Sequence, residues 1–325
     1  MSTDIGLCFH REFAAGAVIE HAHTAESLGF DEFWVIEDCF FTSGPTLAAA
    51  ALTATDHIGV GIGIMPAVAR TAAITAMEIA TLAGLAPGRF HAGIGHGVQT
   101  WMAQMGARKA SPLTALEETI LAVRELLAGD RITRDGRYVT LDDVALEAPP
   151  HTAPLVSAGV QSTKSLQLAG RAADGTILAE LCSPTYLRWV KEQIAVGAAE
   201  VGRSGEPHRM TIFASMVIDD GDAARAAATP FVASVLAHPH MGLRMLDFYD
   251  ELADRAAASS WEEAVGAMPK SWWAQLGAFG TLDDAAAYVM SMTEAGVDAI
   301  AFFPGPFDPL GAAAQLAEQV LPRTR

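Results

Sequence analysis

The chain has 325 residues, 51% of them hydrophobic, and sets 21 Lys and Arg against 38 Asp and Glu, a formal charge of −17. That length suits one α/β barrel, which takes about 250 residues before insertions, and the acidic balance argues against a nucleic-acid partner, whose binding rests on clustered Lys and Arg. No apolar run reaches the roughly 18 residues of a membrane span, and the opening MSTDIGLCFH enters a strand directly, unlike a signal peptide, so a soluble cytoplasmic protein is expected.

Hydrophobic periodicity predicts repeated βα units. Strand one runs from Ile5 to Phe9, and its helix, Ala14 to Leu28, closes at Gly29. Strand two (Glu32 to Ile36) leads to a helix over Thr46 to Thr53, and strand three (Ile58 to Ile64) to one over Ala72 to Ala83. Strand four is Phe90 to Ile94, after which Ser111-Pro112 opens a long helix reaching Ala128. Residues 129–150 break the rhythm as a hairpin excursion around Asp135-Gly136, where a turn needs positive φ. Strand five (Leu155 to Ala158), a helix from Lys164 to Ala172, strand six (Gly175 to Ala179), a helix from Thr185 to Val201 and strand seven (Met210 to Ile218) follow.

An Ala-rich helical insertion, about 219–280, carries Trp261, Trp272 and Trp273. A helix over Leu282 to Ala295, strand eight from Ala299 to Phe303 and a helix from Pro309 to Leu321 end the pattern. Eight strands alternating with eight helices predict a (β/α)8 TIM barrel, read as a single domain over 1–325. The alternative is an open doubly wound sheet.

Glycines at 59, 61, 63, 93, 95 and 97 fall near strand ends, where main chain can approach a flat cofactor closely; a packed core gives little reason for them. Cys8, Cys39 and Cys182 lack metal-like spacing and read as buried thiols in a reducing compartment. His21-Ala-His23 falls inside a helix and His238-Pro-His240 inside the insertion, so no metal is expected. No Gly-Lys-Ser/Thr phosphate loop or Gly-x-Ser-x-Gly elbow supports nucleotide or serine hydrolysis. His10, just past strand one, either points into the barrel mouth or lies on the loop surface.

The motifs AESLGFDEFWVIED (25–38), IGVGIGIMPAVARTAAITAMEIATL (58–82), GRFHAGIGHG (88–97), LEETILAVRELLAGD (116–130), LQLAGRAADGTIL (166–178) and GTLDDAAAYVMSMTEAGVDAIAFFP (280–304) span almost the whole sequence. Through them the chain resembles the bacterial-luciferase-like flavin and deazaflavin oxidoreductases. It is most similar to the methylenetetrahydromethanopterin-reductase-like branch, which uses coenzyme F420. The resemblance implies a (β/α)8 barrel with the cofactor at its C-terminal mouth. It also implies an enzyme that moves a hydride between reduced F420 and a small organic substrate, and a homodimer, as relatives often form. FMN in a luciferase-like monooxygenase is the alternative within enzymes; a non-catalytic flavin-binding barrel is the alternative outside them.

Carried over residue by residue, the resemblance puts a cis peptide at Gly63–Ile64 behind the central ring. Strand two would bring Glu37 and Asp38 to its polar edge, where the family carries an acid followed by His. Gly95, His96 and Gly97 would approach the ring from strand four, with Val98-Gln99 standing where related dehydrogenases place Glu. Gly159, Val160, Gln161, Ser162 and Thr163, at a helix N-terminus, would hold the phosphate, with Ala179 and Glu180 beside it. His10, Asp38 and His96 are the candidate catalytic groups, the two histidines as proton donors.

Overall fold

The computed structural model describes residues 3–305 and 308–324; Met1 and Ser2 of the opening segment lie outside them. Eight parallel strands are β1 (Asp4–Phe9), β2 (Glu32–Val35), β3 (Gly59–Pro66), β4 (Phe90–Gly95), β5 (Val156–Gly159), β6 (Gly175–Leu178), β7 (Arg209–Ile218) and β8 (Ala299–Pro304). Each pairs with the next in chain order, and β8 returns to pair with β1, Ile5 opposite Ile300. That last pairing closes the sheet and excludes the open alternative. Strand positions fall within two residues of those the periodicity predicts, because buried parallel strands read as unbroken Val, Ile, Phe and Ala runs. A short helix, Gln99–Gln104, was not expected from the pattern.

The barrel is filled from the bottom by polar and then aromatic side chains. Glu32 is 2% exposed. It accepts hydrogen bonds from Trp34 Nε1 (2.8 Å) and Arg209 Nη2 (2.7 Å), and His91 Nε2 lies 3.2 Å away. Because each buried charge has an opposite partner, the cluster is tolerable inside a barrel. Above it the Trp34 ring stacks on His91 at 6.0 Å and meets the Phe213 ring edge-on at 5.4 Å. A Cβ at Gly61 would run into that indole, so this glycine makes room for a large neighbour rather than for a ligand.

Two excursions depart from the βα rhythm. Ile132–Asp135 pairs antiparallel with Thr140–Val144, as a hairpin. Its turn corrects the expectation for Gly136, whose φ is not positive; a Cβ there would press on Glu118 Oε2 and Val139 O. Glu118 instead organises the turn, accepting from the N–H groups of Arg137, Tyr138 and Val139 at 2.8–3.0 Å.

The second excursion is helical: Gly221–Ala237, Met241–Arg244, Tyr249–Ala258, Trp261–Gly266 and Lys270–Trp273. It packs around its own apolar cluster, which includes Leu236, Leu252, Val265 and Trp273. Phe248 and Trp272 stack at 4.5 Å and 7°. The segment rejoins the barrel through Ala278–Gly280, which pairs with Met216–Ile218 at the end of β7.

Candidate active site

A cavity of about 570 Å³ opens at the C-terminal ends of the barrel strands, the end at which such barrels carry their chemistry. Its back wall is main chain. The peptide bond Gly63–Ile64 is cis, as the resemblance implies, and the β3–β4 register shifts between Ile62 and Met65 as a bulge. The surrounding glycines now have specific causes. A Cβ at Gly63 would collide with the Phe213 ring, and one at Gly95 or Gly159 with Ile64 Cδ1. Gly93 is crowded by Ile62 O, Ile177 and Ile64. These glycines make room for the packing of the bulge, and Gly63 and Gly159 also line the cavity. Gly97, in contrast, has φ of 72° in the turn leaving β4, a conformation that favours glycine.

From the end of β2 come Glu37, Asp38 and Cys39, all half-buried in the cavity wall. Arg70 grips Glu37 with both guanidinium nitrogens, at 2.6 and 3.0 Å, and Gly44 N–H donates to it at 3.0 Å. Glu37 is thereby tied to the start of the helix Gly44–Ala54. Asp38 Oδ2 lies 2.6 Å from Arg11 Nη1. Cys39 is the exception to the expectation of buried thiols: Cys8 and Cys182 are buried, whereas Cys39 faces the cavity. Burial and the neighbouring carboxylates of Glu37 and Asp38 push its thiol up, so it stays protonated.

His96 lies in the wall after β4, its Nδ1 3.0 Å from Gly97 O. Since a carbonyl only accepts, Nδ1 carries the proton, and in the neutral ring Nε2 is left as an acceptor. His10 lies outside the cavity lining. It packs edge-on to Phe303 at 5.8 Å, its Nδ1 accepts from Glu12 N–H at 3.3 Å, and burial lowers its pKa.

The β5 loop supplies Gly159, Val160, Gln161 and Ser162 to the wall, with Thr163 beginning the helix Thr163–Ala172. Ser162 and Ser165 form a reciprocal capping box, which consumes the Ser162 hydroxyl. The first-turn N–H groups of Thr163 and Lys164 have no acceptor within their own helix, so the anion site expected here would rest on main chain rather than on the serine. The buried side-chain amide oxygens (Oε1) of Gln99 and Gln161, both in the cavity wall, have no hydrogen-bond partner among the described residues. A ligand presenting N–H or O–H groups would satisfy them.

Ala179 and Glu180 also line the cavity, where β6 ends. Ser215 Oγ donates to Glu180 Oε1 at 2.8 Å. Burial pushes the Glu180 carboxyl above the usual carboxylate range, outweighing the pull of Ser215 and Arg11 toward ionisation. Leu181 follows with φ of 62°. This left-handed turn costs a leucine about 1 kcal/mol or more, and it sends Leu181 into the apolar cluster of the insertion while Glu180 faces the cavity. From the insertion, His240 Nδ1 accepts from Gly242 N–H (3.1 Å), and its Nε2 lies 3.3 Å from Glu180 O, to which it donates. Burial lowers the His240 pKa, so a neutral ring clamps the main chain of Glu180.

Sequence reasoning missed Cys39, Gln99, Phe213 and His240 as cavity residues. The first two follow strand ends, a signal that was available. Phe213 sits in mid-strand and His240 caps the short helix Met241–Arg244 of the insertion, so only tertiary structure brings them in.

The sequence matches the luciferase-like monooxygenase family over residues 5–299. A 5,10-methylenetetrahydromethanopterin reductase of Methanolobus tindarius is 32% identical over 226 residues, 68% of this chain and 67% of that protein. The same-named protein of Archaeoglobus fulgidus is 30% identical over 214 residues, 66% of this chain and 64% of that one. Among solved structures, the coenzyme F420 dependent tetrahydromethanopterin reductase from Methanopyrus kandleri superposes over 100% of both chains with a TM-score of 0.84, at 21% identity. An F420-dependent secondary alcohol dehydrogenase in complex with an F420–acetone adduct does so with a TM-score of 0.83 at 20% identity, again over the full length of each. At such identities the superpositions establish the architecture, and the sequence match establishes descent: the chain belongs to the luciferase-like monooxygenase family.

Proposed function

We propose that this protein is an F420-dependent oxidoreductase that transfers a hydride between reduced coenzyme F420 and a small organic substrate. The observation that carries this reading is a cavity at the strand ends that joins the β3 bulge at Gly63–Ile64 to the carboxyl of Glu180 in one lining. The names of the sequence relatives from Methanolobus tindarius and Archaeoglobus fulgidus support a redox reaction on a small substrate.

The cavity residues fit a flat, phosphate-bearing ring system. When bound, the deazaflavin supplies or accepts the hydride at C5, and the barrel contributes position and electrostatics. Gly63 and Ile64 would back the ring, while Ile64, Ile177 and Phe213 exclude water from that side. Gln99 and Gln161 offer their unpartnered side-chain amide oxygens to ring or side-chain donors. The first-turn N–H groups of Thr163 and Lys164 would hold the phosphate.

Glu180 is the group we assign to proton transfer. Ser215 occupies Oε1, which leaves Oε2 to carry the proton of the neutral acid. That proton would pass to a heteroatom of the substrate being reduced, and in the opposite direction Glu180 would accept it. Asp38, paired with Arg11, and His96, an acceptor at Nε2, would orient polar groups at the cavity mouth.

Titration of the purified protein with F420 and, separately, with FMN, followed by ring fluorescence, tests the reading. Saturable F420 binding with FMN far weaker is expected, together with hydride transfer to or from a bound substrate. Tight FMN binding with oxygen-dependent turnover would overturn it in favour of a monooxygenase. Binding without redox turnover would favour a non-catalytic barrel.

A further inference from the structure

The turn that ends β6 is held from outside the barrel. Ala179 and Glu180 lie past Leu178, the last residue of that strand, so their carbonyls depend on donors other than the ladder. Cys182 Sγ donates to Ala179 O at 3.1 Å, and His240 Nε2 to Glu180 O at 3.3 Å. The second donor belongs to the helical insertion. So does the apolar cluster that receives the side chain of Leu181, the next residue along.

His240 is itself fixed at both ring nitrogens and across its face. As N-cap of the helix Met241–Arg244 it accepts from Gly242 N–H at Nδ1, 3.1 Å away. The ring proton is therefore on Nε2, the nitrogen that meets Glu180. Its ring lies 5.9 Å from that of Tyr186, and a Cβ at Gly242 would strike the same phenol ring. Tyr186 is fully buried in the first turn of the helix Pro184–Glu200, and its hydroxyl donates to the main-chain oxygen of Gln161 at 2.6 Å. A rigid support thus stands behind the imidazole.

We propose that His240 is a positioning residue: by gripping the main chain of Glu180 it keeps that carboxyl in the buried wall of the cavity, so that the insertion controls how much water reaches the proton donor. This rests on the proton-transfer role given to Glu180 above. The groups that act electrostatically on Glu180 come from other elements: Ser215 of β7, Arg11 and Asp38 after β1 and β2, Cys8 of β1, Cys182, and Tyr288 of the helix Leu282–Glu294. Loss of the grip leaves them in place and admits water, which weakens the burial that favours the neutral acid. The carboxyl should then titrate at lower pH, opposite in sign to the loss of the Ser215 hydroxyl.

Two substitutions separate the grip from the cap. In His240→Asn the amide oxygen still caps Gly242 N–H, asparagine being a good N-cap, but no atom extends to Glu180 O. His240→Gln keeps an N–H donor at the ε position. One readout is the pH profile of kcat/KM in the F420-loaded enzyme. The other is NMR titration of the Glu180 carboxyl carbon in the cofactor-free protein, its signal identified by its absence from Glu180→Gln. His240→Asn should lower the midpoint by about one pH unit in both, and His240→Gln should restore most of it. An unmoved midpoint in His240→Asn, even with reduced kcat/KM, overturns the proposal, as do equal shifts in the two variants. If Glu180→Gln retains full kcat/KM, the proton-transfer reading fails by itself, and the carboxyl titration still decides whether His240 holds Glu180. Should His240→Asn not fold, His240→Ser, another N-cap without the reach, takes its place.

Discussion

On the proposed reading the chemistry rests on one carboxyl, Glu180, whose protonation is set by burial acting against the Ser215 hydroxyl. Burial favours the neutral acid, while the Ser215 hydroxyl favours the ionised one. If Glu180 donates the proton, kcat/KM falls as pH rises through its elevated pKa. Removing the hydroxyl in Ser215→Ala takes away a group that stabilises the carboxylate, so the alkaline limb of the profile moves to higher pH. Glu180→Gln lowers kcat by about 10²–10⁴-fold with cofactor affinity held within a few-fold. A rate profile that Ser215→Ala leaves in place would remove Glu180 from the proton path. The sequence put Glu180 at the cavity but beside the phosphate, because a residue number one step past a strand says nothing about burial. It also named His10 as a candidate proton donor while leaving open whether it faced the mouth or the loop surface; the ring packs on Phe303 outside the cavity lining.

At the level of the strand, β3 and the glycines around it behave as one packed unit. The atom that a Cβ at Gly159 would meet is Ile64 Cδ1. Gly159→Ala therefore overpacks the bulge and lowers stability by about 1–3 kcal/mol, with weakened cofactor binding. Ile64→Val deletes that methyl, so the double variant recovers most of the loss, and a double-mutant cycle in urea reads the coupling. Additive losses would mean that the two residues do not share space as described. The pattern of glycines was legible from sequence; their reason was not, since Trp34, Phe213 and Ile64 reach them from other strands. Strand order was legible because each βα unit carries its own periodicity. The turn at Gly136 was not, because its determinant, Glu118, lies on a preceding helix.

Across the whole molecule, several histidines are held neutral by burial, and together they set how the fold responds to acid. His208, whose Nε2 lies 2.8 Å from Thr176 Oγ1, is the strongest case, lowered to about 4 by burial. The unfolded chain takes up this proton near pH 6.5, whereas the folded one resists it until about pH 4. The stabilising contribution is thus complete above the unfolded value and is lost as pH falls through that window. The difference corresponds to about 3 kcal/mol. Urea midpoints should drop between pH 6.5 and 4, and His208→Gln should flatten part of that slope; an unaltered slope in the variant would assign the acid sensitivity elsewhere. The sequence supplied the histidines but not their burial, which is decided by how helices and strands meet.

The stack of Glu32, His91 and Trp34 beneath Phe213 is a stopper. It blocks the foot of the barrel, and the cavity lies at the opposite end, at the rim where the strands finish.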